Sequence, residues 1–180
     1  RGSSSHLAEV FRHRSDVCVV GRRIGPDDLP SVLADCTSRW VALGRSDRLA
    51  AVSLDAGPDW LKITVDNGAC DFLESALRHG LRPLVVQVKL RDYPAPLLFW
   101  RRYERNFTCS YGSPCGHYCL LDRDCSLGSA AALLGASYLP HPELVESNIN
   151  EFVFLRRDVA DALSPPTWPR GAGVDLAAYS

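Results

Sequence analysis

Asp66-Asn67-Gly68-Ala69-Cys70-Asp71-Phe72-Leu73-Glu74-Ser75-Ala76-Leu77-Arg78-His79-Gly80, followed shortly by Leu84-Val85-Val86-Gln87-Val88-Lys89-Leu90, decides the fold. In the first stretch Cys70, Leu73, Ala76 and Leu77 fall on one helical face, with Phe72 beside it. Gly80 stands where a helix ends in a left-handed residue, and His79 sits in the last turn, facing the negative end of the helix dipole. The second stretch is an apolar, valine-rich run interrupted by Gln87 and Lys89, the pattern of a strand central in a sheet at its start and more exposed at its end.

Working outward, Val17-Cys18-Val19-Val20 reads as a short strand. Gly25-Pro26-Asp27-Asp28 then opens a helix whose apolar stripe is Leu29, Val32 and Leu33 and which ends near Asp35. Trp40-Val41-Ala42-Leu43 reads as the next strand, closed by Gly44. Leu49 to Leu54 and Trp60 to Val65 read as an antiparallel hairpin around the turn Asp55–Asp59. Phe99, Trp100, Tyr103 and Phe107 fit an aromatic-rich helix after Pro96. Leu127 to Leu134 is a helix of small residues, Glu151 to Leu155 a strand, and Val159, Ala162 and Leu163 a last helical turn before Ser164-Pro165-Pro166. The expected organisation is residues 1–15 as a flexible segment, 16–163 as one α+β domain with 109–125 as a cysteine-rich insertion, and 164–180 as a Pro/Gly-rich tail.

The chain has 180 residues and 46% hydrophobic content, enough to bury a core. All its basic residues are arginine except Lys62 and Lys89, yet the net charge is −1, which gives no electrostatic ground for bulk nucleic-acid binding. No apolar run is long enough to span a bilayer, so no membrane partner is expected. Seven cysteines, an odd number, argue against a fully paired secreted framework and for an intracellular chain. Cys18, Cys36 and Cys70 read as small buried hydrophobes.

Several residue sets are candidates for chemistry. Cys109, Cys115, His117, Cys119 and Cys125 supply five soft or imidazole ligands in a glycine-rich stretch, and zinc is the cofactor such a set would hold. Their spacing matches no standard finger; the competing reading is a loop whose cysteines pack or form a disulfide. Trp100, Arg101, Arg102, Tyr103 and Arg105 form a patch of the residue types that dominate protein-binding hot spots. The same patch would suit RNA phosphate or a stacked base, a reading the charge balance disfavours, and a plain solvated helix face is the third reading. Asp66 or Asp71 with Gln87 and Lys89 would be the skeleton of a metal-dependent hydrolase or nuclease; ordinary strand residues explain them better.

The order of blocks also resembles a known family. Val17–Val20 with Asp28-Leu29-Pro30-Ser31-Val32-Leu33, then Trp40–Gly44, Leu49–Asp55 with Trp60–Val65, and Asp71-Phe72-Leu73 through Leu77-Arg78-His79-Gly80-Leu81 are similar to the "US-twenty-two" gene family of betaherpesviruses, thought to belong to the SUKH superfamily. Leu90-Arg91-Asp92-Tyr93-Pro94 leading to Tyr103 is similar to the start of that family's cell-death suppressor. The resemblance implies a SUKH-like mixed or antiparallel sheet with packed helices and no active site. It implies a non-enzymatic viral protein of the host cytoplasm or nucleus, or of the virion tegument, that binds a host innate-immunity or cell-death protein. A zinc-stabilised nucleic-acid-binding module and a metal-dependent hydrolase are the alternatives.

Overall fold

The computed structural model describes residues 10–11, 18–42, 58–65, 67–90, 98–106, 125–140 and 151–163. They form an α+β fold in which a mixed four-stranded sheet, ordered β1-β2-β4-β3, is covered on one face by two helices and on part of the other by a third. The strands are β1 (Trp60–Ile63), β2 (Val85–Lys89), β3 (Tyr138–Pro140) and β4 (Glu151–Arg156). The helices are α1 (Leu29–Ala42), α2 (Ala69–Arg78), α3 (Leu127–Leu134) and α4 (Arg157–Leu163).

β1 and β2 run parallel, with Trp60 beside Val85 and Ile63 beside Val88, so α2 is the crossover of a β-α-β unit. β4 lies antiparallel to both β2 and β3, which pairs Val86 and Pro140 on either side of Phe154. The alternation along these strands sends Ile63, Val86, Val88 and Phe154 to one face. There they meet Phe72 and Leu73 of α2 and Ala130 and Leu134 of α3 in the main core. Val153 and Leu155 point the other way and are covered by Ala160 of α4. Tyr138 stitches this end together, donating its hydroxyl to the Pro83 carbonyl at 2.8 Å.

α2 forms where its periodicity places it: Cys70, Phe72, Leu73 and Ala76 are buried, Leu77 is partly buried against the same core, and Gly80 follows at φ 84°. The His79 ring nitrogen Nδ1 sits 2.8 Å from the Ser75 carbonyl, at the helix end. The strand read at Leu84–Leu90 is β2, central in the sheet, and the helix read at Leu127–Leu134 is α3 to the residue.

Other expectations are corrected. Trp40, Val41 and Ala42 are not a strand; they are the last turn of α1, which runs well past Asp35. Val32 and Cys36, four residues apart, are both buried and continue one helical face, so an apolar run too short to show its own period belongs to the helix before it. Residues 18–20 take no regular secondary structure. Cys18 is instead tied to α1 by a disulfide to Cys36. The segment 98–106 is not an aromatic helix but an irregular strap, with one antiparallel bridge from Trp100 to Cys125. β1 pairs with β2; the partner expected for it in a hairpin, Leu49–Leu54, lies outside the described residues, as do the terminal segments 1–9 and 164–180 and Asp66. Among the described residues no helix is long and apolar enough to cross a membrane.

Candidate functional site

The strap 98–106 carries all five residues of the aromatic–arginine patch, and its conformation is set by the first turn of α2. Gly68 precedes that turn at φ 79°, a left-handed conformation that only glycine adopts without strain, and its bare Cα lets Tyr103 lie against it. Asp71, the third residue of the helix, stands near the positive end of the dipole. Its carboxylate accepts three bonds from the strap: Trp100 Nε1 at 3.2 Å and the Tyr103 backbone N–H at 2.9 Å on Oδ2, and Arg102 Nη1 at 2.9 Å on Oδ1. Asp71 is itself only 8% exposed, so these donors replace the water it gives up.

Further contacts seat the strap along its length. The Phe99 N–H donates to Ser126 Oγ, and the Phe99 carbonyl accepts from the Ser126 N–H and Ser129 Oγ at 2.8 and 2.9 Å. Ser126 Oγ in turn accepts from the Ser129 N–H as the N-cap of α3. The Tyr103 ring meets Phe72 edge to face, with centroids 5.8 Å apart. Asn67 Nδ2 donates to the Glu104 carbonyl at 2.8 Å. Arg105 reaches Asp28 Oδ2 at 3.1 Å, the same oxygen that accepts the Gly25 N–H at 2.7 Å. The Gly25 N–H and, secondarily, the arginines hold the Asp28 carboxyl below the usual carboxylate range.

The five residues therefore lie on an irregular strap, with their charges committed. Arg102 bridges Asp71 and Glu74, each at 2.9 Å, and its guanidinium lies 4.1 Å from the centre of the Trp100 ring. Its side chain is still 65% exposed, so one face of the cation is presented while the other is fixed. The hydrogen bonds it donates to Asp71 and Glu74 hold its guanidinium above the ordinary value. Arg101 pairs loosely with Glu104 at 3.7 Å, both half exposed. Leu98, at 71% exposure, heads the strap.

Two features were missed in the sequence. Asp71, read there as at most a metal ligand, is the hub of the strap; its partners lie about thirty residues away, and no local signal links them. The cysteines read as buried hydrophobes are cystines: Cys18 with Cys36, and Cys70 with Cys125. Cys125 was one of the five zinc candidates, and in a disulfide it offers no thiolate to a metal. Cys109, Cys115, His117 and Cys119 lie outside the described residues. Four ligands are what a structural zinc takes, so the remaining set still has the right number.

Of the hydrolase residues, Asp71 does not join Gln87, and Asp66 lies outside the described residues. Asp71 is committed to the strap, whereas Gln87 donates to Glu151, a 3%-exposed carboxylate on β4. Glu151 also accepts from Lys62 Nζ at 2.9 Å and Thr64 Oγ1 at 3.3 Å. The two sets share no member. The Glu151 set is a satisfied buried charge that ties β1, β2 and β4 together across one face.

No family model, curated protein or solved structure matches this chain.

Proposed function

We propose that this chain is a SUKH-like, non-enzymatic protein-binding domain of the betaherpesvirus "US-twenty-two" kind, which antagonises a host defence or cell-death factor in the cytoplasm or nucleus, or from the virion tegument. The α+β fold with a mixed sheet and α2 against one face supports this reading, as does the helix from Asp71 to its glycine stop. The irregular chain at 18–20 and the helical Trp40 depart from the blocks on which the resemblance was drawn. The reading therefore leans on Asp71–Leu81 and on the segment leading to Tyr103.

The observation that carries the binding reading is the strap. A Trp stacked with an Arg, both fixed by a buried carboxylate, is a preorganised hot spot: little side-chain freedom remains to be lost when a partner covers it. Leu98 and Arg101 flank it with exposed apolar and cationic surface. A partner with an apolar contact beside acidic side chains fits this surface.

The test uses wild-type chain, Leu98→Asp and Arg101→Glu, substitutions that leave the Asp71 contacts in place. Each is expressed in cells challenged with a death ligand or with double-stranded RNA. The expected result is protection by the wild type, and loss of both protection and partner co-purification in the variants, at unchanged melting temperature. Equal protection by all three proteins would exclude the strap as the binding face. No protection by the wild type under either challenge would exclude the functional reading itself.

A further inference from the structure

We propose that Cys70 and Cys125 form a thiol–disulfide lock that sets how firmly the strap 98–106 is held. Two consecutive residues of α2 grip the strap by different means. Asp71 holds it directly, through the bonds from Trp100, Arg102 and the Tyr103 N–H. Cys70 holds it through its neighbour: the cystine fixes Cys125, which bridges Trp100, and the next residue, Ser126, exchanges two hydrogen bonds with Phe99, whose carbonyl also accepts from Ser129 Oγ. The covalent bond thus pins the chain against which the first half of the strap is laid.

Both sulfur-bearing residues are buried, Cys70 at 0% and Cys125 at 1% exposure. A thiol reductant must therefore wait for the strap, or the start of α3, to lift. By linkage, whatever lifts the strap makes the cystine reducible, and reduction makes lifting easier. The step is an ordinary exchange. Two molecules of a low-molecular-weight thiol supply two electrons and two protons; the sulfur–sulfur bond becomes two Cys thiols, and the reductant leaves as its own disulfide. Cys18–Cys36 has no such link, since it joins residue 18 to the middle of α1 and no strap residue bonds to either cysteine or its chain neighbours in the hydrogen bonds described above. The lock stands on connectivity and burial; its regulatory meaning rests on the partner-binding reading, because the locked residues are those that would meet the partner.

The experiment uses the full chain. Free thiols are alkylated under non-reducing conditions and the cystine-linked peptides are mapped by mass spectrometry. Amide hydrogen exchange is then followed before and after treatment with a small dithiol, and repeated in Cys70→Ala/Cys125→Ala and in Cys18→Ala/Cys36→Ala. The expected result is a linked Cys70–Cys125 peptide, and exchange at residues 99–103 accelerated roughly tenfold or more on reduction and in the first variant, with β2 and β4 still protected. The second variant should leave strap exchange unchanged. Three results would overturn the lock: free Cys70 and Cys125 in oxidised protein, strap exchange indifferent to reduction, or loss of protection throughout β2 and β4, which would make the cystine a staple of the whole fold. A lock that behaves as expected while the wild type protects cells under neither challenge would leave this inference standing and remove the functional reading alone.

Discussion

Replacing Gly68 by alanine tests the seat of the strap. The residue sits at φ 79°, where an L side chain costs about 1–2 kcal/mol. A Cβ there would lie 2.8 Å from Tyr103 Cβ, 3.0 Å from Cδ2 and 3.1 Å from Cα. Turning the Tyr103 ring relieves only the middle contact; the other two are with atoms that move only if the strap moves. Overpacking of that kind adds about 1–3 kcal/mol, so Gly68→Ala should cost about 2–5 kcal/mol in all. Gly80 is the internal control: its φ is 84°, and a Cβ would meet no heavy atom within 4 Å. Gly80→Ala should therefore show the backbone cost alone, about 1–2 kcal/mol. Urea unfolding measures both variants, and hydrogen exchange asks whether the loss in Gly68→Ala is concentrated at residues 99–103. Equal destabilisation by the two substitutions, with strap exchange unchanged, would refute the claim that Tyr103 rests on Gly68.

Further outcomes follow from the core and from the titrating groups. Phe154 is 1% exposed and central to the main core, so Phe154→Ala should cost about 3–5 kcal/mol in chemical denaturation and leave any ordered remnant molten to a hydrophobic dye. Asp28 has a depressed carboxyl, set first by the Gly25 N–H and then by Arg105, and Asp158 one depressed chiefly by its hydrogen bond from Arg156. Their contributions are present above the ordinary carboxylate value and are lost as pH falls through the depressed folded values. Asp28→Asn should thus flatten part of the acid limb of a stability-against-pH curve. Burial raises the Tyr138 phenol. Its contribution holds below the ordinary value near 10 and is lost as pH rises through the raised one. An ultraviolet titration should show a late-ionising component that disappears in Tyr138→Phe.

Much of the fold was legible because its elements are locally consistent. α2 has one apolar face and a glycine stop, α3 has a serine cap before a run of small residues, and β2 and β4 are dense in β-branched and aromatic residues. Trp40–Ala42 was misread because an apolar run of that length has no period of its own; only the burial of Cys36, fixed by its partner Cys18, shows that α1 continues. The strap was misread for a related reason. Trp100 and Tyr103 are three residues apart, as on a helix, yet both answer to Asp71 about thirty residues earlier, and a contact at that distance leaves no mark in local spacing. The cystines were hidden by their settings: Cys18, Cys36 and Cys70 sit in apolar or amphipathic stretches and read as buried hydrophobes, and their partners, 18 and 55 residues apart in sequence, leave no local signal. The candidate patch was found by composition, and its geometry came only from long-range contacts.

The strand order has a consequence for how the molecule is made. β4 is the last of the described strands, yet it occupies the slot between β2 and β3 and brings Phe154 to the centre. A ribosome delivers β1, α2 and β2 more than sixty residues before the strand that closes their sheet. Throughout that interval the Val85–Lys89 edge is an unpaired, apolar template, open to any extended chain that finds it. Nascent chains should accordingly need shelter by a chaperone until Arg156 has cleared the exit tunnel, and truncations ending before Glu151 should aggregate rather than fold.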